Sequence, residues 1–358
     1  MPRPPAPAAR LLRDAALRRR IDQLNEAAGR RMDDDLAAGL RDAGETQRLA
    51  TIAAYPKGLA DSLLQQLHGH TQTGDFPAAT SCGRRALALY RELGDRAAEG
   101  QTLYKISLVF THAGDYPRAE LFAGKTARVA AAIGDAALRI RALRQAGVVQ
   151  FMRGRHDAAT RTFASALREA ALAGERELAA MLRMNLGIQH TAAGRWEAAR
   201  GYLQESLDYF SAGGNKMWEA TVLSNLGVLF QKQGRHRDAA AEFMRCLRLC
   251  QSTGYARLRI QALINLGDAL PPLGDFARAD RLLAQAEKLA ARSGEKRSLA
   301  YALESRGRLE TLRRRPGAAK IAKARALEIA RAIGEADLIK SLTAKPLRAG
   351  KPPFDGFG

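Results

Sequence analysis

Seven polar side chains stand at a strict interval of 40 residues: Gln65, Lys105, Gln145, Asn185, Asn225, Asn265 and Ser305. Their neighbours in the same segments are largely Leu, Ile, Val, Ala and Gly, so the polar column marks a face that is not packed against the next element. An amide side chain both donates and accepts hydrogen bonds, and a row of amides suits sequence-tolerant gripping of an extended chain through its backbone. Gln101, Arg141, Met181, Thr221, Gln261 and Tyr301 extend the stripe one turn earlier, and Leu108, Val148, Ile188, Val228, Asp268 and Arg308 one turn later. Tyr104, Arg144, Met184, Ile264 and Glu304 flank it. Arg141 and Arg144 lie close together on one segment and are suited to hold a ligand carboxylate. Two blander accounts compete: amides that satisfy neighbouring helices, and a solvated charged face.

Residue types able to do covalent or metal chemistry are present, but their context fails. Gly124-Lys125-Thr126 imitates the end of a phosphate-binding loop, yet Ala119 stands where the leading glycine belongs and no strand precedes the triplet. His68, His70, His112, His156, His190 and His236 are scattered without Cys or carboxylate partners at ligand spacing. Cys82, Cys246 and Cys250 are too few for a disulfide framework in 358 residues, and Cys246 falls in a column of small residues with Ala86, Ala166, Ala286 and Ala326. A buried thiol in a reducing compartment is expected there. No nucleophile elbow or HExxH is present. The expectation is a non-enzyme with no cofactor and no metal.

The elements that position the polar column are set by glycine. Gly74, Gly114, Gly154, Gly194, Gly234 and Gly274 form one 40-residue series; Gly94, Gly134, Gly174, Gly214, Gly254, Gly294 and Gly334 form another, offset by 20. Each closes an amphipathic segment, as a left-handed helix C-cap requires, so each unit is helix, turn, helix, turn. Ala79, Ala119, Ala159, Ala199, Ala239, Ala279 and Ala319 keep the same register and let two helix axes approach. Rings or histidines follow the first glycine series at Phe76, Tyr116, His156, Trp196, His236 and Phe276. Seven helix pairs are expected, at 58–93, 96–133, 136–173, 176–213, 216–253, 256–293 and 296–333, with a closing segment at 335–343. Stacking of at least ~3 such units is what buries a continuous core.

The ends differ from the middle. In the seventh pair Arg314 replaces the turn glycine, Arg306 replaces the leucine of Leu186, Leu226 and Leu266, and Lys323 enters a Phe/Leu column, as expected of a cap that nothing covers. Pro271-Pro272 is expected to end a first helix early. Residues 1–57 are less regular, with a helix over about 8–31 and Asp33-Asp34-Asp35 as an acidic helix start; residues 58–343 form the solenoid, and 344–358 a Pro/Gly-rich tail.

The net charge of +20 comes from 57 Lys and Arg against 37 Asp and Glu, and only 12 of the cations are lysines. Arginine scattered among alanines is what a GC-rich coding bias produces. Locally, residues 306–351 carry 13 basic and four acidic side chains, which attracts an acidic protein surface or a nucleic acid. Aromatics make up only 6% and mostly fill core columns, so a base-stacking platform is missing. No apolar run reaches the ~18 residues of a membrane span. A soluble, cytoplasmic protein is expected, without membrane partners.

Leu186-Gly187, Leu226-Gly227 with Phe230, and Leu266-Gly267, followed by Gly194-Arg195-Trp196 and Ala199 and their equivalents, resemble the tetratricopeptide repeat over about residues 58–340. The 40-residue length and the Asn-Leu-Gly at Asn185, Asn225 and Asn265 look like the longer repeats of Pins/LGN adaptors, kinesin light chains and Rap-type peptide sensors. The resemblance implies an all-α, right-handed solenoid of about seven hairpins holding an extended peptide in its concave groove. It implies an adaptor or regulatory module; the sensory half of a signalling or transcription-control system is the first alternative, and an electrostatic RNA or DNA binder the second. Gln65-Gln66-Leu67 and Lys105-Ile106-Ser107 depart from the Asn-Leu-Gly pattern.

Overall fold

The computed structural model of the chain describes residues 7–253, 256–334 and 336–344, and among them it holds seventeen α-helices and no strand. The first two are α1 (Pro7–Asp34) and α2 (Leu36–Ile52). The hairpins set by the 40-residue period follow: α3 (Pro56–Thr73) with α4 (Phe76–Glu92), α5 (Arg96–His112) with α6 (Tyr116–Ile133), and α7 (Ala136–Met152) with α8 (His156–Leu172). Next come α9 (Arg176–Ala192) with α10 (Trp196–Ala212), and α11 (Lys216–Lys232) with α12 (His236–Thr253). The last are α13 (Ala256–Ala269) with α14 (Phe276–Ser293), α15 (Lys296–Leu312) with α16 (Pro316–Ile333), and the short α17 (Ala336–Thr343). The fold is an all-α solenoid of tetratricopeptide type. The chain divides into two compact units, Met1–Asn225 and Leu226–Gly358, with the boundary inside α11.

The turn chemistry explains why the helices stop where they do. Twelve of the thirteen series glycines have φ between +67° and +81°; the thirteenth, Gly254, lies outside the described residues. The next residue often begins the following helix: the carboxylates of Asp75, Asp95, Asp115, Asp135 and Asp275 each accept from a backbone N–H three residues on. Asp35 caps α2 in the same way, while the side chains of Asp33 and Asp34 and the tail from 345 lie outside the described residues. Ala54 takes φ +46° forty residues before Gly94, so the turn rhythm extends N-terminal of the glycine series. α13 ends at Ala269, and Pro271–Leu273 forms a 3-10 turn, as the proline pair requires.

Arg314 sits at φ +58° where earlier units have glycine. A Cβ in this region costs roughly 1 kcal/mol, and Arg314→Gly is expected to raise the melting temperature by a few degrees in a thermal circular-dichroism scan. An unchanged or lower melt contradicts the assignment of backbone strain.

Packing within each hairpin follows a size-matched pair. A Cβ added to Gly147 would lie 2.6 Å from the Phe163 ring, and one added to Gly187 2.6 Å from Leu203; Gly227 with Phe243 and Gly267 with Leu283 repeat the arrangement in the second unit. In α3 and α4 the sizes are exchanged: Leu67 occupies the glycine column and Gly83 faces it, 2.6 Å from a would-be Cβ to the Leu67 side chain. In the following hairpin both partners are small, Ser107 and Ala123, and Ser107 Oγ donates to Ala119 O across the buried contact. The departures from Asn-Leu-Gly at Leu67 and Ser107 are therefore compensated on the facing helix.

One expectation at the C-terminal end is corrected. Arg306 is not an uncovered cap charge: it turns back onto α14, bonding Glu287 and, at 2.7 Å, Asp280. Acids on the preceding helix make a cation tolerable in that leucine column. Lys323 is exposed, as expected, with its aliphatic stem against Gly307. Cys82, Cys246 and Cys250 are buried free thiols. The hydrogen bond with Cys250 and burial both push the Cys246 thiol up.

Candidate peptide-binding face

In the first unit each first helix packs not only on its own partner but also on the next first helix, α1 on α3, α3 on α5, α5 on α7 and α7 on α9. Among the described residues, consecutive second helices make no comparable approach. The first helices therefore form the inner row of this unit, and the polar column lies on them.

The structure sorts that column into side chains already engaged and side chains still able to act. Gln145 is only 2% exposed and its Nε2 donates to Thr111 Oγ1 at 2.6 Å, tying α7 to α5. Met184, 5% exposed, is packed away. Asn225 Nδ2 donates to Thr221 O of its own helix at 3.1 Å. Tyr104 and Arg144, forty residues apart, meet directly: Arg144 Nη2 donates to Tyr104 Oη at 3.2 Å, and Arg144 Nε is buried without a hydrogen-bond partner. Arg141 is exposed on the same helix. Asn185 is half-buried on α9, with its Oδ1 unpaired, as is the Oε1 of Gln189 one turn on.

Lys105 is the one cation in the column. It is half-buried on α5, has no ion pair or hydrogen bond among the described residues, and burial pushes its ammonium below the usual lysine range. On the same helix, by contrast, a buried charge is neutralised. Glu99, 2% exposed, is held by Arg91 Nε at 2.8 Å and Arg96 Nη1 at 2.7 Å. An uncompensated half-buried cation costs stability, because desolvation disfavours the charged form.

The second unit satisfies its own stripe. Ser305 Oγ and Arg308 Nη2 both donate to Asp268 Oδ2, at 2.9 and 2.6 Å, and Ser341 Oγ donates to Glu304 Oε1 at 2.6 Å. Asn265 Oδ1 accepts from Gln261 Nε2 at 2.8 Å. Burial pushes the Asp268 carboxyl up, against the pull of Arg308. No group of three or more His, Cys, Asp and Glu side chains able to hold a metal occurs among the described residues.

A family profile described as tetratricopeptide repeat matches residues 177–252. Solved structures extend the likeness. The apo form of RapI is 15% identical with a TM-score of 0.59, covering 76% of this chain and 98% of that chain. A Rap protein complexed with competence and sporulation factor is 13% identical with a TM-score of 0.56, covering 90% and 99%. A signal transduction ATPase with numerous domains from Pyrococcus horikoshii, which carries a tetratricopeptide repeat sensor, is 12% identical with a TM-score of 0.55, covering 92% and 55%. No curated protein sequence matches the chain. At these identities the likeness establishes the fold, an all-α solenoid of tetratricopeptide type, and the family profile marks residues 177–252 as tetratricopeptide repeats. No helix among the described residues is long and apolar enough to cross a membrane.

Proposed function

We propose that the inner row of the first unit binds an extended, acidic peptide or protein segment, and that the chain is a non-catalytic adaptor or regulatory module of the cytoplasm. The observation that carries this reading is Lys105, a half-buried ammonium without a counter-charge in the same row as Arg144 and Asn185. A ligand carboxylate supplies the missing charge, and the Asn185 amide bonds the ligand backbone beside it. The complex of a similar Rap protein with competence and sporulation factor supports binding by such a fold. Asn225 and Asn265 carry the same chemistry at their own positions, each after releasing its bond within its own helix.

Capture of partners on the immobilised chain at moderate salt, with mass spectrometry and titration of peptides from the captured segment, tests the proposal. Retention of an acidic segment through moderate salt is expected. Affinity that falls steeply with salt, with nucleic acid as the main captured species, contradicts it. Hydrolase, kinase and nucleotide-binding assays are expected to be blank, and saturable stoichiometric ATP binding overturns the non-enzyme reading.

A further inference from the structure

Among the described residues, the C-terminal end of the second unit leaves a helix seat half filled. The first helices α5, α7, α9 and α15 each run 17 residues, whereas α17, which takes the next such position, runs eight. α17 covers only the C-terminal half of α16, where Leu338, 1% exposed, packs with Ala300 and Ala330. Beside the other half of α16 lies a cleft of about 750 Å³ with Ala319, Leu327 and Leu342 on its floor and Arg314, Lys320 and Lys323 along its rim. Among the described residues, no acidic side chain lines it. Ile321, which follows Lys320 in sequence, is 66% exposed, and Leu312, which follows Thr311, 60%.

The preceding seat shows what such a cleft receives. There α14 takes the second half of α15 through apolar contact and charge: Asp280 and Glu287 hold Arg306, and Asp280 lies 3.2 Å from Arg313. Forty residues on, Asp280 is replaced by Lys320, Glu287 by Leu327 and Leu283 by Lys323. The seat keeps its apolar floor and reverses its charge. Where α14 offers acids to a basic helix, α16 offers cations.

We propose that this cleft seats an acidic amphipathic helix of another protein, about nine residues long (17 less 8), in the place that the second half of a full-length first helix takes in the preceding unit. The chain itself supplies the wrong sign. Lys345, Arg348 and Lys351 follow α17 in sequence against Asp355, and the exposed run of α1 presents Arg18, Arg19 and Arg20 to any end-to-end copy. The seat lies wholly in the second unit, so it stands or falls independently of the inner row of the first.

The probe is a fluorescein-labelled, lactam-stapled 14-residue peptide with Leu and Ala on one face and Glu along the flank; a Lys-for-Glu version is the control. The full chain is expected to bind the acidic peptide saturably, one to one, and to ignore the control. K320E/K323E is expected to weaken binding at least tenfold with a melt nearly unchanged, since both side chains are exposed, whereas K288E on α14 changes affinity less than twofold. A benzophenone at the centre of the peptide is expected to crosslink to α16. Absence of saturable binding, equal weakening by K288E, or crosslinks confined to other helices overturns the proposal. So does equal-affinity competition by a single-stranded oligonucleotide. Self-association of the unmodified chain that vanishes in K320E/K323E also overturns it, because a second copy is then the occupant.

Discussion

Gly147→Ala is expected to destabilise the protein, although alanine is the better helix former. Propensity alone predicts a gain of about 1 kcal/mol for replacing a mid-helix glycine. The added methyl, however, would lie 2.6 Å from the ring of Phe163, which is 1% exposed and packed among Ala159, Ala166 and Leu182. Overpacking of a fixed ring costs typically about 1–3 kcal/mol, so the steric effect wins. Phe163→Ala alone is expected to cost about 3–5 kcal/mol through the cavity it leaves. In the double variant the two faults compensate, and the summed loss should exceed the measured one by about 0.5–3 kcal/mol. Denaturant unfolding of the four proteins in this cycle measures the coupling. A stabilised Gly147→Ala, or strict additivity, contradicts the size-matched pair. The same logic makes Gly83→Ala destabilising in the first hairpin, where Leu67 is the large partner.

That pair also shows how far the amino-acid sequence is legible by itself. The turns were readable because a left-handed C-cap excludes nearly every side chain but glycine, which turned a conformational demand into a visible 40-residue rhythm. Packing was less readable. Leu67 and Ser107 look like departures from Asn-Leu-Gly when one column is followed, and only the facing helix, with Gly83 and Ala123, restores the balance. Arg306 misled for a related reason: its acids, Asp280 and Glu287, stand 26 and 19 residues earlier on another helix.

The candidate site was readable as a column and not as a set of roles. Period alone gives Gln145, Asn185 and Asn225 the same place on a helix. It does not show that Gln145 reaches Thr111, that Asn225 folds back on Thr221, or that Lys105 lacks a counter-charge. Side-chain pairing depends on the neighbouring hairpin's choice of residue, which no single column contains.

If Lys105 is present for a ligand and not for the fold, removing its charge separates binding from stability. Lys105→Met keeps the half-buried stem and deletes the uncompensated ammonium, so the melting temperature is expected to hold or to rise by a few degrees. Loss of a charged hydrogen bond costs about 1.5–3 kcal/mol and loss of the Asn185 amide about 0.5–1.5, where ~1.4 kcal/mol is tenfold in affinity. Lys105→Met with Asn185→Ala is therefore expected to weaken the captured acidic peptide by at least about thirtyfold, even if the effects are only partly additive. Isothermal titration of that peptide against the double variant, with a thermal melt on the same sample, is the decisive measurement. The account predicts an intact or raised melt with affinity reduced at least about thirtyfold. A collapsed melt, or an intact melt with unchanged affinity, contradicts it.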